Sequence, residues 1–137
     1  MKRVTFLAIL ILVVIFSGCG KKQSDQTIIS AQISNTGGGS FTLTSLKGFE
    51  HVINVREDGS FTDTLDIEKG TYYAVYDKTG IQLYLDKGSI VSFVADANDF
   101  NNTLHFEGDF SELNNYYAYK SKVTGAIEST FKTTYSL

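Results

Sequence analysis

The sequence predicts a mainly β protein, an antiparallel β-sandwich of about eight short strands with one C-terminal helix. Composition is the first reason: the 137 residues hold twelve glycines and no proline, and are rich in Thr, Val, Ile, Phe and Tyr. That balance favours strands broken by glycine turns over a helical bundle. Periodicity is the second: from Thr27 apolar and polar residues alternate, the pattern of strands with one buried face. Spacing is the third, since turn signals recur at intervals of about eight to twelve residues, as in a sandwich or barrel.

The segment before the first strand reads differently. Lys2 and Arg3 form a basic start, Val4 to Phe16 is apolar apart from Thr5, and Ser17-Gly18 supply small residues, together the composition of an export signal over residues 1–18. A helix of about 13 residues rises only ~20 Å, well short of the ~30 Å hydrocarbon core of a bilayer. Removal is therefore expected, not a permanent span.

Cys19 is the only cysteine in the chain and directly follows Phe16-Ser17-Gly18. The stretch FSGCG resembles the bacterial lipobox, with Phe16 where that motif usually carries leucine. The resemblance implies cleavage between Gly18 and Cys19, with a diacylglycerol on the Cys19 thiol and an acyl chain on its amine. One chain anchors only marginally, whereas lipid at both ends of Cys19 makes attachment durable. The implied partner is a membrane, reached through lipid on Cys19. An acylated Cys19 leaves the mature chain without a thiol, which excludes CxxC redox chemistry, a cysteine nucleophile and a thiolate zinc site. With no cysteine pair, the core alone must hold the fold.

Residues 19–26 form the lipidated cysteine and a flexible tether. Six residues, Gly20 to Asp25, reach at most ~20 Å. Lys21 and Lys22 stand where some surface-exported lipoproteins carry an acidic run, so a cell-envelope location on the outer membrane, facing the periplasm, is expected. Loss of the signal leaves about 119 residues, the size of one domain. Ten Lys and Arg then face fifteen Asp and Glu, a charge near −5. Such a surface repels nucleic acid.

The domain is expected over residues 27–125. Ile29, Ala31 and Ile33 alternate, Asn35-Thr36-Gly37-Gly38-Gly39 breaks the run, and Phe41, Leu43 and Leu46 follow, which reads as a first hairpin. The triple glycine is not a phosphate loop, because that motif needs Lys-Ser/Thr and a helix after its last glycine, and SFTLTSL is a strand pattern. Phe49, His51, Ile53 and Val55 alternate next. Asp58-Gly59 has hairpin-turn chemistry and leads to Phe61, Leu65 and Ile67. Gly70 to Asp77 and Ile81 to Asp86 form two more strands around Asp77-Lys78-Thr79-Gly80, SIVSFVAD follows Asp86-Lys87-Gly88, and Thr103 to Glu107 closes the series. Leu83, Leu85, Val91, Phe93, Leu104 and Phe106 are expected in the core.

One helix is expected from Asp109, whose side chain can cap it while Glu112 completes a capping box. Phe110, Leu113 and Tyr117 share a face at helical spacing, with Tyr116 and Val123 beside them. An end at Gly125 leaves residues 126–137 as a truncated or disordered tail.

DGSF at Asp58 to Phe61, GTYYAVYD at Gly70 to Asp77, LYLDKGSIVSFVAD at Leu83 to Asp96 and NTLHFEGDFSELNNYYAYKSK at Asn102 to Lys122 resemble, in order and spacing, the N-terminal accessory domain of exported TlpA-like thiol-disulfide oxidoreductase lipoproteins. In that family a β-sandwich precedes a helical linker and a thioredoxin domain with the redox CxxC. This chain has no cysteine pair, so the resemblance implies the accessory domain without its activity.

Candidate chemistry is sparse. His51 lies on an apolar strand face and His105 on a polar one, with no spacing that joins either to an acid as a metal site. Asp63 shares a face with Phe61 and Leu65, which suggests a rim position or a hydrogen-bonded carboxylate. Asp96, Asn98, Asp99, Asn101 and Asn102 are oxygen-rich but lack the alternate ligands and glycine of an EF-hand, and read as an Asx turn. Tyr73 and Tyr84 are the candidate ligand-binding residues, since tyrosines on an exposed sheet face combine apolar area with a hydroxyl. GxSxG, HExxH, the P-loop and GxGxxG in a βαβ setting are missing. The expectation is a non-enzymatic, cofactor-free, metal-free lipoprotein domain with a binding, spacing or dimerisation role and a protein partner or second copy. The alternatives are the truncated front of a thiol-disulfide oxidoreductase and an autonomous ligand-binding lipoprotein with an aromatic sheet face.

Overall fold

Alternation produces the strands, and the computed structural model, which describes Gly20 and residues 24–135, shows eight of them. They are β1 (Thr27–Ser34), β2 (Gly39–Thr44), β3 (Glu50–Val55), β4 (Ser60–Leu65), β5 (Gly70–Tyr76), β6 (Thr79–Leu85), β7 (Ile90–Asp96) and β8 (His105–Gly108). A single helical turn, α1 (Phe100–Thr103), precedes β8, and α2 (Ser111–Tyr135) follows it. The strands form two four-stranded sheets in the orders β4-β1-β7-β8 and β3-β2-β5-β6. Every strand pair is antiparallel except β1 with β7.

The inward residues of both sheets make one core. Phe93 lies at its centre, with ring centroids 5.6 Å from Phe41, 5.9 Å from Phe61 and 5.5 Å from Phe106. Tilted and edge-on arrangements dominate, the geometry that aromatic quadrupoles prefer. Leu83, Leu85, Val91, Phe93 and Phe106 are buried as expected. Leu104 is only half-buried, because it caps the C-terminus of α1 and packs at the edge of the core.

The expected first hairpin is absent. β1 has β4 on one side and β7 on the other, so both of its edges are occupied, and β2 joins the opposite sheet. Asn35 to Gly38 therefore carries the chain across the core. Asp58-Gly59 and Asp86-Lys87-Gly88 make the same crossing, between β3 and β4 and between β6 and β7. Period-two alternation reports which face of a strand is buried and is silent about its neighbours. The link between β5 and β6 is a true hairpin, with Asp77 at φ 53°.

The helix also departs from its expected bounds. Asp109 does not cap it: its carboxylate accepts from the Ile90 N–H at 2.8 Å, and its own N–H donates to the Ile90 carbonyl at 2.9 Å. Phe110 then turns the chain in the left-handed region at φ 58°, and α2 begins at Ser111. It continues through Gly125 to Tyr135 instead of stopping there.

Candidate functional site

Register places the molecule's two ends. Thr27 pairs with Leu65, Ile28 with Ile90 and Val91 with Gly108 in one sheet, while Gly70 pairs with Leu85 and Thr44 with Tyr73 in the other. The start of β1, the β2–β3 turn, the β4–β5 link, the β6–β7 turn and the start of α2 thus share one end. The opposite end carries the triple-glycine crossing and the β5–β6 turn.

At the first end a cleft of about 500 Å³ opens between the β2–β3 turn and the β4–β5 link, lined by Leu46, Lys47, Phe49, Ile67, Glu68 and Tyr72 among others. Phe49 and Tyr72 meet edge to face at 5.7 Å. The Tyr72 hydroxyl donates to the Glu68 carbonyl at 2.7 Å, and burial pushes its pKa up. Lys47 Nζ and Glu68 Oε2 are 2.9 Å apart at the mouth. Their mutual hydrogen bond raises the Lys47 pKa and lowers that of Glu68. Both are highly exposed, so the pair adds little stability.

Beside this cleft lies a contact that the sequence reading missed. His51 Nε2 and Asp63 Oδ2 are 2.8 Å apart, joining β3 to β4 across the two sheets, and Phe49 stacks on the imidazole at 6.3 Å. Both residues point inward on edge strands and are half-buried. A separation of twelve residues carries no periodic signal, and the pair exists because two edges of different sheets face each other. Asp63 also accepts from the Thr64 N–H at 2.8 Å. Among the described residues the imidazole's hydrogen bond is to Asp63 alone, so the pair acts as an inter-sheet strut. Inward charges on edge strands also discourage edge-to-edge pairing. His105 is exposed on β8.

Tyr73 and Tyr84 do fall on one outer face, since Tyr73 pairs with Gln82 and Thr71 with Tyr84. Their surroundings differ. Tyr73 is exposed beside Val75, and Val52 lies across Thr42 from Val75, which gives that sheet a partly apolar outer face. Tyr84 is half-buried, with its ring edge-on to Phe110 at 4.9 Å. It packs at the helix entrance and is not a free stacking surface.

The other sheet edges are closed by two adjacent asparagines that no sequence pattern singled out. Asn114 is fully buried. Its Oδ1 accepts from the Tyr84 N–H at 2.6 Å and its Nδ2 donates to the Tyr84 carbonyl at 3.2 Å. Asn115 does the same for Phe106 of β8, at 2.7 and 2.9 Å. A primary amide offers one acceptor and two donors, so each side chain substitutes for one residue of a missing strand. One helix thereby covers one edge of each sheet, β6 and β8. The apolar residues expected to dock α2 mostly do not: Leu113, Tyr116 and Val123 are exposed, and Tyr117 is half-buried.

The oxygen-rich run around α1 is tied up in hydrogen bonds within itself and to Asn35. Asp96 accepts from the Asn98 N–H at 2.9 Å and from Asn35 Nδ2 at 2.7 Å, and Asp99 accepts from Asn102 Nδ2 at 2.7 Å. In the triple-glycine crossing the Tyr76 hydroxyl donates to the Gly38 carbonyl at 3.1 Å and is hydrogen-bonded with the Thr36 hydroxyl. Gly18 and Cys19 lie outside the described residues. Among those described, no helix is long and apolar enough to cross a membrane.

Comparison with protein-family models, with curated proteins and with solved structures returns no match.

Proposed function

We propose that the chain is an exported lipoprotein, anchored through lipid on Cys19 in the cell envelope, whose sandwich is a non-catalytic spacer and binding module. One observation carries the spacing role: the N-terminal tether enters at one end of the sandwich and the helix leaves at the other. Thr27 starts at the end that holds the β2–β3 turn, whereas Lys120, Ser121 and Thr124 of α2 reach Lys78 and Thr79 of the β5–β6 turn. The helix continues to Tyr135, eleven residues or ~16 Å further at 1.5 Å per residue. A tether of at most ~20 Å keeps the first end near the bilayer, and the helix tip lies at the far end of the domain.

Tyr116, Tyr119, Val123 and Ile127 are exposed along this helix and are the surface it offers to a protein partner or a second copy. A second reading, the accessory domain of a thiol-disulfide oxidoreductase, rests on the same feature, because the helix leaves the sandwich as a linker would.

Intact-mass measurement of the full chain from a bacterial membrane fraction tests the anchor. The expected product begins at Cys19 and carries three acyl chains, and Cys19→Ser moves the protein to the soluble fraction. An unmodified thiol in a soluble wild-type chain rejects the proposal.

A further inference from the structure

Among the described residues Leu46 is the most exposed large apolar side chain, at 89% of its full accessibility. It sits at the tip of the β2–β3 turn, which is closed by hydrogen bonds from Ser45 N–H to the Phe49 carbonyl and from Gly48 N–H to the Ser45 carbonyl, at 2.9 and 3.2 Å. That tip lies at the end where β1 begins, so the chain leading to Cys19 departs from the same end. Phe110, also exposed in part, stands at this end too. We infer that this end of the sandwich rests on the lipid surface, with the Leu46 tip inserted into the interfacial region as a second, non-covalent contact.

This inference rests on the lipid-anchor reading and adds to it. Burying one leucine side chain in an apolar medium is favourable but too weak to bring a free protein to a bilayer. A short flexible tether changes the balance, because it converts the contact into an intramolecular one at an effective concentration in the millimolar range. Weak insertion is then enough to hold the domain upright.

Charge plays the smaller part. Lys47, Lys69 and Lys87 lie at this end, but so do Glu50, Asp66, Glu68, Asp86, Asp109 and Glu112; Lys47 is paired with Glu68, and Asp109 holds the Ile90 amide. This acidic excess predicts a contact driven by apolar burial, with no gain from anionic lipid.

The test uses the full lipidated chain, whose acylated Cys19 leaves no thiol, so that one introduced cysteine can be labelled. Lys47→Cys places a fluorophore beside Leu46, and Lys78→Cys places it at the opposite end. The proteins are reconstituted in phosphatidylethanolamine–phosphatidylglycerol vesicles containing nitroxide-labelled lipid, and in vesicles of phosphatidylcholine alone with the same quencher. Several-fold stronger quenching at position 47 than at 78, in both lipids, supports the inference, as does its loss on adding Leu46→Asp. That substitution leaves the exposed tip folded, checked by an unchanged far-UV spectrum. Equal quenching at the two positions, or quenching indifferent to Leu46→Asp, overturns the inference and leaves the anchor intact. A chain that fails to float with vesicles and keeps a reactive Cys19 overturns both.

Discussion

Asn114→Leu is expected to destabilise the protein by about 3–4 kcal/mol and to release α2 from the sandwich. The substitution keeps the branching and does not shrink the side chain, so cavity formation is not the cause. It strands the N–H and C=O of Tyr84 against an apolar side chain, and each unpaired buried group costs about 1–3 kcal/mol. The position allows no rescue by water, since Asn114 is fully buried. For a domain of this size each kcal/mol lowers Tm by about 4 °C, so a fall of roughly 12–16 °C should appear in thermal unfolding. Hydrogen exchange should show the α2 amides losing protection before those of β1 and β7. Asn115→Ala should do less, because Asn115 is only half-buried and water can replace its amide at Phe106. An unchanged Tm for Asn114→Leu would mean that packing, not the amide, holds the helix.

Asn114→Asp adds a pH dependence whose sign is fixed by burial. A protonated carboxylic acid can both accept from Tyr84 N–H and donate to its carbonyl, whereas the carboxylate has no donor and carries a buried charge. The folded-state pKa of the new acid therefore lies above its unfolded value. Its contribution is fully present below the unfolded value and is lost as pH rises through the folded one. Denaturant titrations at acidic and neutral pH should show the deficit relative to wild type widening toward neutrality.

Gly59→Ala is the second large effect, expected at about 3–4 kcal/mol. Gly59 has φ 81°, and a Cβ there would lie 1.7 Å from the Ile33 carbonyl oxygen. Left-handed backbone costs a non-glycine residue about 1–3 kcal/mol, and the clash is with main chain, so no rotamer relieves it. Moving the turn away also breaks the 2.9 Å hydrogen bond from Ile33 N–H to the Gly59 carbonyl, worth about 1 kcal/mol. Gly37→Ala is the control: nothing lies within 4 Å of its added Cβ, so its effect should stay within about 0.5 kcal/mol. Urea midpoints for the pair measure the difference directly. Equal midpoints would show that the crossing turn relaxes freely.

The turn at Gly59 also illustrates what sequence reading can and cannot see. Asp58-Gly59 was recognisable as a turn from its chemistry alone: the Asp58 carboxylate accepts from Ser60 N–H and Oγ at 2.9 and 2.6 Å, and these bonds hold its pKa below the usual range. That the turn carries the chain from one sheet to the other was not recognisable, because a turn motif describes about four residues and the choice of sheet depends on strands far along the chain. Helix reading failed in a related way. Phe110, Leu113 and Tyr117 have helical spacing, but the face that docks is the one bearing Asn114, whose partner is the edge backbone of β6. A hydrophobic-face rule cannot find a polar anchor.

By itself the sequence determined the inward face of most strands, the number of strands and the mainly β class, because alternation and glycine turns are local properties of a chain that must bury one face of each strand. It also carries the whole basis for the proposed anchor, in the leader and Cys19. Only the tertiary structure decided the parallel pairing of β1 with β7, the His51–Asp63 strut, the Asn114 and Asn115 clips and the placement of tether and helix tip at opposite ends. Each of these joins residues far apart in the chain, through hydrogen bonds and packing that exist only once two sheets have stacked.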